Sequence, residues 1–399
     1  MRAIIIGGGI GGPVAAMALQ RAGIEPVVHE TRPGPAARMG LFLGLGINGM
    51  RVLRDLDALD PVMRTDVIPT PLMAFSSTTG KRLGTASNGR LDPVTPSVTL
   101  MRGALQRALA DEARARGIEV RYHKRFIDYT ETDRGLVARF DDGSEVTGDI
   151  LIGADGIRSR VRAVMTPDAP QPSYTGLLNL GGVARGPGLP ATPDTMHMVW
   201  GRRAFFGYTV RPGGEAWWFA SLGVKREPDR DELDAVSTGD WKRRLGALFA
   251  EDPPFIRGLI DGTDDIVATP THDMPSLPTW CRGRVALLGD AAHAVSPSAG
   301  QGASMAMEDA MVMAKCLRDI DVPEQALARY EELRRPRAER IVANGRMRGK
   351  YKAPEGRAAL FLRDLFMPLA LRLFATEKAM SWIYEYEVRW DEPVARDAA

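Results

Sequence analysis

The chain has 399 residues, of which 44% are hydrophobic and 26% are charged, so it can form two or three domains with a substantial core. This composition excludes disordered and fibrous proteins, and a net charge of +2 gives no field that would attract nucleic acid. With Cys281 and Cys316 as the only cysteines, neither a disulfide framework nor a cysteine-rich metal site is available, so we predict a cytoplasmic protein without a metal centre.

The first thirty residues predict a complete βαβ unit. Its parts are a buried strand Arg2–Ile6, a helix Gly12–Ala22 and a second strand Pro26–His29. The elements predicted next are a helix Asn48–Leu56, strands near Leu72–Ser76 and Lys81–Gly84, and an amphipathic helix Arg102–Arg116.

A glycine-rich turn joins the first strand to the first helix. The segment Gly7-Gly8-Gly9-Ile10-Gly11-Gly12 matches G-x-G-x-x-G, and its candidate binding residues are Gly7, Gly9, Ile10, Gly11 and Gly12. Such glycines permit a tight turn, a close approach of the backbone to a pyrophosphate and tight packing of the helix on the strand. The alternative interpretation of this segment is a flexible loop. Glu30, 18 residues after Gly12, is placed to accept hydrogen bonds from an adenosine ribose, which favours FAD or NAD over NADP.

The middle of the chain changes in character. A strand Glu119–Tyr122, a hairpin of Leu136–Phe140 with Ser144–Thr147, and a strand Asp149–Ile152 come first. From about residue 174, aromatic segments with a period of two predict an antiparallel sheet, which we expect to be inserted as a second domain: Met196–Trp200, Phe205–Val210 and Ala216–Leu222.

The βα pattern then returns. It predicts a strand Arg284–Leu288 and helices Gln301–Arg318, Pro323–Arg346, Ala358–Phe374 and Met380–Tyr386. Charges interrupt the apolar stretch Leu360–Phe374, so it cannot span a bilayer. We expect it to pack on the protein as an amphipathic helix, with contact to a membrane surface as the alternative.

Two distant segments resemble the FAD-dependent aromatic hydroxylases, the single-component flavoprotein monooxygenases related to para-hydroxybenzoate hydroxylase. The first is Gly148–Arg162, which contains Gly153-Ala154-Asp155-Gly156. The second is Arg284–His293, which contains Gly289-Asp290 and continues through Pro297 and Gly300-Gln301-Gly302 to Glu308-Asp309-Ala310. Together with the glycine turn, the resemblance spans about residues 2–340.

The resemblance implies roles for individual residues. Asp155 would lie near the FAD and also serve the nicotinamide reductant, and Asp290 would hold the ribityl hydroxyls. Pro297 would lie beside the isoalloxazine ring, and Arg102 would contact the pyrophosphate or the ring. The amides of the segment Gly300, Gln301, Gly302 and Ala303 would meet the pyrimidine edge, where a helix N-terminus stabilises the negative charge of reduced flavin.

Local alternatives remain for some of these residues. Asp155 is also placed to cap a helix, and Arg102 to be a solvated arginine in a first turn. Ser304 departs from the family, because many members carry asparagine there, and this puts any side-chain contact from that position in doubt.

The fold class implied is α/β: a Rossmann-like FAD-binding domain with an inserted antiparallel-sheet substrate domain and C-terminal helices. The predicted domain boundaries are FAD-binding segments 1–70, 101–170 and 276–345, substrate-domain strands 71–100, the substrate domain 171–275, and a helical segment 346–399.

The function implied is that of a monooxygenase. NADH or NADPH would reduce the FAD transiently, since only one dinucleotide fingerprint is present, and a flavin hydroperoxide formed with O2 would hydroxylate an electron-rich small aromatic molecule. The alternatives are an FAD-dependent oxidase or a prenyl-chain reductase, and, from another class, a non-catalytic FAD-binding protein. Either a monomer or a homodimer is compatible with the sequence.

The substrate pocket is expected between the flavin and the inner face of the antiparallel sheet. Candidate lining residues are Met196, Met198, Phe205 and Phe219, with ordinary core packing as the alternative for each. His293 is expected to be structural beside Asp290, and no substrate base is identifiable.

Overall fold

The computed structural model describes residues 1–35, 41–89, 95–133, 135–186, 188–274, 276–350 and 357–394. The strands are β1 (Arg2–Ile6), β2 (Glu25–His29), β3 (Phe42–Leu45), β4 (Ile68–Pro69), β5 (Leu72–Ser76), β6 (Arg82–Ser87), β7 (Val98–Met101), β8 (Glu119–Arg121), β9 (Phe126–Thr132), β10 (Gly135–Phe140), β11 (Glu145–Gly148), β12 (Ile150–Gly153), β13 (Ser173–Ala184), β14 (Thr195–Trp200), β15 (Ala204–Val210), β16 (Ala216–Gly223), β17 (Val267–Asp273), β18 (Cys281–Arg282) and β19 (Val285–Leu287). The helices are α1 (Gly11–Arg21), α2 (Ile47–Asp55), α3 (Leu59–Met63), α4 (Arg102–Ala115), α5 (Arg160–Met165), α6 (Arg230–Asp234), α7 (Thr238–Leu248), α8 (Pro254–Asp261), α9 (Asp290–His293), α10 (Gly302–Asp319), α11 (Pro323–Lys350), α12 (Arg357–Phe374) and α13 (Glu377–Tyr384).

A six-stranded sheet forms the first layer. Its strand order is β18-β19-β12-β1-β2-β8, and all pairs from β19 to β8 are parallel, while β18 pairs antiparallel with β19. β12 is buried throughout and β1 nearly so, as expected of parallel strands covered on both faces. The predicted Rossmann-like α/β domain is therefore confirmed, and the carboxyl ends of five neighbouring strands meet at one edge.

A seven-stranded sheet forms the second layer, in the order β17-β13-β16-β15-β14-β5-β6. Its strands pair antiparallel, as predicted, except that β14 and β5 are parallel. Because β5 reaches this sheet from residues far earlier in the chain, no short hairpin forces it to run antiparallel to β14. The sheet thus combines strands from segments 71–100 and 171–275, and the exact domain boundaries stay a prediction.

Each face of this sheet has a different neighbour. One face packs on α6, α7 and α8 through a buried cluster that includes Phe206, Trp218 and Leu245. The other face meets β3, where the Phe42 ring lies 5.8 Å from that of Trp217 and 6.0 Å from that of Phe219. We call this second face, on the side of the six-stranded sheet's domain, the inner face.

The C-terminal helices return to the body of the protein. α12 packs against β6, and α13 joins a small cluster in which Met380, Ile383 and Tyr384 contact Ile47. Within the described ranges, none of the helices is both long and apolar enough to cross a membrane.

Candidate active site

The three sequence motifs meet at one edge of the six-stranded sheet. Gly7 follows β1, Ala154 follows β12 and Leu288 follows β19, and these three strands are neighbours. Gly7 has a φ of +111°, and a Cβ there would overlap the carbonyl oxygen of Ala154. A Cβ on Gly11 would lie 2.7 Å from Leu288 Cδ2, so the glycine turn packs against both other turns.

The glycine turn has the form of an anion site. A Cβ on Gly12 would overlap the Gly7 carbonyl oxygen, which explains the tight packing of α1 on β1, whereas no atom lies within 4 Å of the Cβ position on Gly9. α1 begins with no side-chain cap and no acidic residue in its first turn, as far as the described residues extend. Its free N–H groups are therefore available to an anion such as a phosphate.

Glu30 lies directly after β2 and holds the glycine turn. Its Oε2 accepts a hydrogen bond from Gly8 N at 2.6 Å, and its Oε1 accepts one from Arg32 N at 2.9 Å. The carboxylate keeps further acceptor positions for a ribose. Gln106, on α4, donates from Nε2 to Gly8 O at 2.9 Å, a contact that no local sequence signal indicated.

Asp155 caps α5. Its carboxylate accepts hydrogen bonds from Ser159 Oγ at 2.6 Å, Arg160 N at 2.7 Å and Val161 N at 3.1 Å. Burial raises the pKa of Asp155, and these hydrogen bonds oppose the rise. The helix-cap interpretation of Asp155 thus accounts for its geometry, and a contact with the cofactor stays a prediction.

A cavity of about 430 Å³ adjoins this turn. Arg158, Arg160 and His272 are among its lining residues. Arg160 Nε donates to Ile127 O at 2.9 Å, while the side chain of Arg158 is exposed.

Asp290 and Arg102 face a common space inside the molecule. Asp290 lies deep in the fold, yet its side chain is exposed, and Arg102 is exposed at the start of α4. Low-polarity surroundings raise the pKa of Asp290, while the positive charges of His293 and Arg102 lower it. An exposed carboxylate whose surroundings nonetheless raise its pKa indicates an open space beside Asp290 that a ligand can enter.

A second uncapped helix start lies beside Asp290. Pro297 and Gly300 are exposed in the turn that precedes α10, and Gly300 has a φ of +65°. α10 begins at Gly302, with no side-chain cap from the residues described, and a Cβ on Gly302 would lie 3.9 Å from Asp290 Oδ1. Ala303 follows in the first turn and is half-buried.

Asp309 of α10 fixes the Gly289-Asp290 turn through hydrogen bonds. Its Oδ2 accepts hydrogen bonds from Gly289 N at 3.0 Å and from His293 Nε2 at 2.6 Å, and its Oδ1 accepts one from Arg334 Nε at 2.7 Å. Burial alone would raise the pKa of Asp309, but the charges and hydrogen bonds of His293 and Arg334 outweigh it and hold the pKa at about 2. His293 is therefore structural, as predicted.

A second network holds the turn before α10. Asn48 Nδ2 donates to Gln301 Oε1 at 2.9 Å and to Glu308 Oε1 at 2.6 Å, and Arg337 Nε donates to Glu308 Oε2 at 2.8 Å. Gln301 is 1% exposed, and its Nε2 has no hydrogen-bond partner among the described residues. Within that part of the chain, this buried N–H donor next to the start of α10 therefore lacks an acceptor.

Ser304 has a definite role at the position where relatives often carry asparagine. Its Oγ accepts a hydrogen bond from Gly46 N at 3.1 Å, which joins α10 to the turn between β3 and α2.

The inner face of the seven-stranded sheet closes the space on its other side. Met198 pairs with Gly207, and Gly207 pairs with Phe219, so these residues share one face, as predicted. Met198 and Phe219 are half-buried, whereas Met196 and Phe205 are 5% and 4% exposed and contribute mainly to packing. Phe42 was not predicted, but its ring contacts show that it shares this face with Phe219.

The arrangement fits one extended flavin dinucleotide. An uncapped helix start and an acid lie at one end, and a second uncapped helix start, an exposed interior carboxylate and an unpaired buried amide lie at the other. Among the described residues, no group of His, Cys, Asp and Glu could hold a metal ion.

Comparisons with known proteins agree with this geometry. A family profile described as "FAD binding domain" matches residues 1–345. The chain is 32% identical over 379 residues to the aurachin C monooxygenase/isomerase of Stigmatella aurantiaca, covering 91% of this chain and 93% of the relative. It is 32% identical over 370 residues to the FAD-dependent urate hydroxylase of Klebsiella pneumoniae, covering 87% and 89%.

A solved structure with a closely similar fold is Klebsiella pneumoniae HpxO complexed with FAD and uric acid. It superposes with a TM-score of 0.82 at 27% identity and covers 94% of both chains.

Proposed function

The chain belongs to the FAD binding domain family and is an FAD-dependent aromatic monooxygenase, and from this premise we propose its reductant and its class of substrate. The reductant is NADH or NADPH, and the substrate is an uncharged, electron-rich aromatic molecule. Bound FAD would supply electrons and activate O2, so that one oxygen atom is transferred to the aromatic ring.

Each part of the proposed FAD site has a distinct task. The glycine turn and the start of α1 would hold the pyrophosphate, and Glu30 would accept hydrogen bonds from the adenosine ribose. Asp290 would accept hydrogen bonds from the ribityl chain. The N–H groups from Gly300 to Ala303 would stabilise negative charge on the pyrimidine side, as a helix start does for anions.

The observation that carries the substrate class is the absence of charge on the inner face. On β14, β15 and β16, the described side chains of this face are all uncharged: Met196, Met198, Trp200, Phe205, Gly207, Thr209, Trp217, Phe219 and Ser221. Such a surface binds flat apolar rings by stacking and excludes water. The two guanidinium groups nearest this wall, Arg211 against Trp217 and Arg363 against Trp200, are already paired with Asp66 and Asp364. A substrate carboxylate there would lose its hydration without gaining an unpaired cationic partner from the described residues.

The reductant approaches, in this proposal, through the cavity beside Asp155. Its lining residues include Arg158 and Arg160, and guanidinium groups suit the diphosphate of NADH or NADPH. This location agrees with the role that the family resemblance implies for the Asp155 turn.

The test measures oxygen transfer directly. FAD-loaded enzyme is incubated with NADH or NADPH under ¹⁸O2 and a panel of neutral phenols and quinolones, each paired with its carboxylate analogue. We expect neutral compounds to stimulate reductant consumption and to carry one ¹⁸O atom in the product. Product without label would indicate an oxidase or a reductase, and a consistent preference for the carboxylate analogues would contradict the proposed substrate class.

A further inference from the structure

Helix α12 presents a stripe of large apolar side chains to the outside. Among the described residues, eleven large hydrophobic side chains are exposed, and six of them lie on this helix. Five of them occupy positions i, i+3, i+4, i+7 and i+11 of the helix and expose 51–58% of their surface: Leu362, Leu365, Phe366, Leu369 and Leu373. They therefore form one continuous face, and Phe374, 73% exposed, extends it at the end of the helix.

The opposite side of α12 is fixed on the protein. Leu371 packs against Gly84 of β6: a Cβ added to Gly84 would lie 3.0 Å from Leu371 Cδ1. Arg363 Nη2 donates a hydrogen bond to Trp200 O at 2.9 Å. Arg363 also forms an ion pair with Asp364 at 2.8 Å. Arg363 and Asp364 thus turn toward the protein, whereas the apolar stripe and Arg372 stay on the outer side of the helix.

The segment around the stripe is strongly basic. Residues 348–378 contain seven Arg or Lys and three Asp or Glu, a surplus of +4, whereas the whole chain has a net charge of +2. Arg372 and Lys378 are exposed, and neither forms an ion pair with any residue in the described part of the chain. An apolar face flanked by the exposed Arg372 and Lys378 complements an anionic lipid surface.

A second copy of the chain is a poorer partner for this face. A twofold dimer through α12 would bring the same basic segment of both copies together, and like charges repel.

We propose that α12 docks the enzyme on an anionic phospholipid bilayer, with its apolar stripe at the boundary between headgroups and acyl chains. The helix lies along the surface, since it is not long and apolar enough to cross. Its other face contacts Trp200 and Gly84 at the edge of the seven-stranded sheet, so docking holds that sheet close to the lipid.

Vesicle flotation of the FAD-loaded full chain tests the proposal. We expect the protein to float with vesicles of phosphatidylcholine and phosphatidylglycerol, and less with phosphatidylcholine alone. The combined variant Leu365→Ser, Phe366→Ser, Leu369→Ser should lower vesicle binding roughly tenfold or more, because its apolar contacts are lost. The matched control Ile127→Ser, Val322→Ser, Leu333→Ser removes three exposed apolar side chains elsewhere and should bind like the wild type.

A second variant changes only charge, so that a loss of vesicle binding cannot be attributed to unfolding of α12. Arg372→Glu with Lys378→Glu should weaken binding to phosphatidylglycerol vesicles and leave FAD content unchanged. The proposal is overturned if the wild type does not float, if the control variant loses as much binding as the α12 variant, or if light scattering shows that the α12 variant only splits a dimer.

Discussion

At the scale of single residues, Asp290 is the side chain whose placement says most about the ligand. A carboxylate so deep in a protein is normally paired, yet Asp290 faces an open interior space beside Arg102 and the start of α10. Asp309 holds the preceding Gly289 amide, so the turn is rigid and Asp290 is positioned before any ligand arrives.

Replacing Asp290 should therefore weaken FAD binding. Hydrogen bonds to a charged group contribute about 1.5–3 kcal/mol each, so Asp290→Ala should raise the Kd for FAD roughly ten- to a hundredfold, measured by flavin fluorescence. Asp290→Asn should lose less, since it keeps the shape and one acceptor. Asp264→Ala, at an exposed ion pair with Arg185, is the control and should bind FAD normally. Normal flavin retention by Asp290→Ala would refute the role.

At the scale of elements, the strands and helices that depend on a local sequence pattern were predicted correctly. The βαβ unit at the start of the chain and the strands β12 and β19 were predicted within a residue or two, because apolar runs followed by glycine turns leave few alternatives. Helices α6, α7 and α8 were missed. They are short and separated by Ser-Thr-Gly and Pro-Pro sequences typical of loops, and burial of Leu233, Trp241 and Leu245 against the sheet stabilises them.

Strand β15 allows an element-scale test of the pocket. A Cβ on Gly207 would overlap the Phe219 ring, so the ring lies over this glycine on the inner face. Gly207→Val should push the ring into the pocket and raise the KM for substrate roughly tenfold, with FAD content unchanged, because core strands tolerate added volume only by displacing neighbours. Gly213→Ala, with open space around it, is the control for steady-state kinetics. An unchanged KM in Gly207→Val would place the substrate elsewhere.

At the scale of the whole molecule, the site depends on contacts between distant parts of the chain. Arg337 joins Glu308 to the carbonyl oxygens of Trp382 and Ile383, and Asn48 joins Glu308 to Gln301. The motifs themselves could be predicted from sequence, since each is a local turn. The residues that support them could not, because their partners lie up to 260 positions away and nothing local marks the pairing.

The account's central claim is that the glycine turn and the Asp290 turn bind opposite parts of one FAD. A crystal structure of the FAD-loaded enzyme tests it most directly. We predict the adenosine ribose at Glu30, the pyrophosphate over Gly9 and the start of α1, and the isoalloxazine ring beside Pro297 and Gly300, facing the inner sheet. An FAD that leaves either turn without contact would contradict the account.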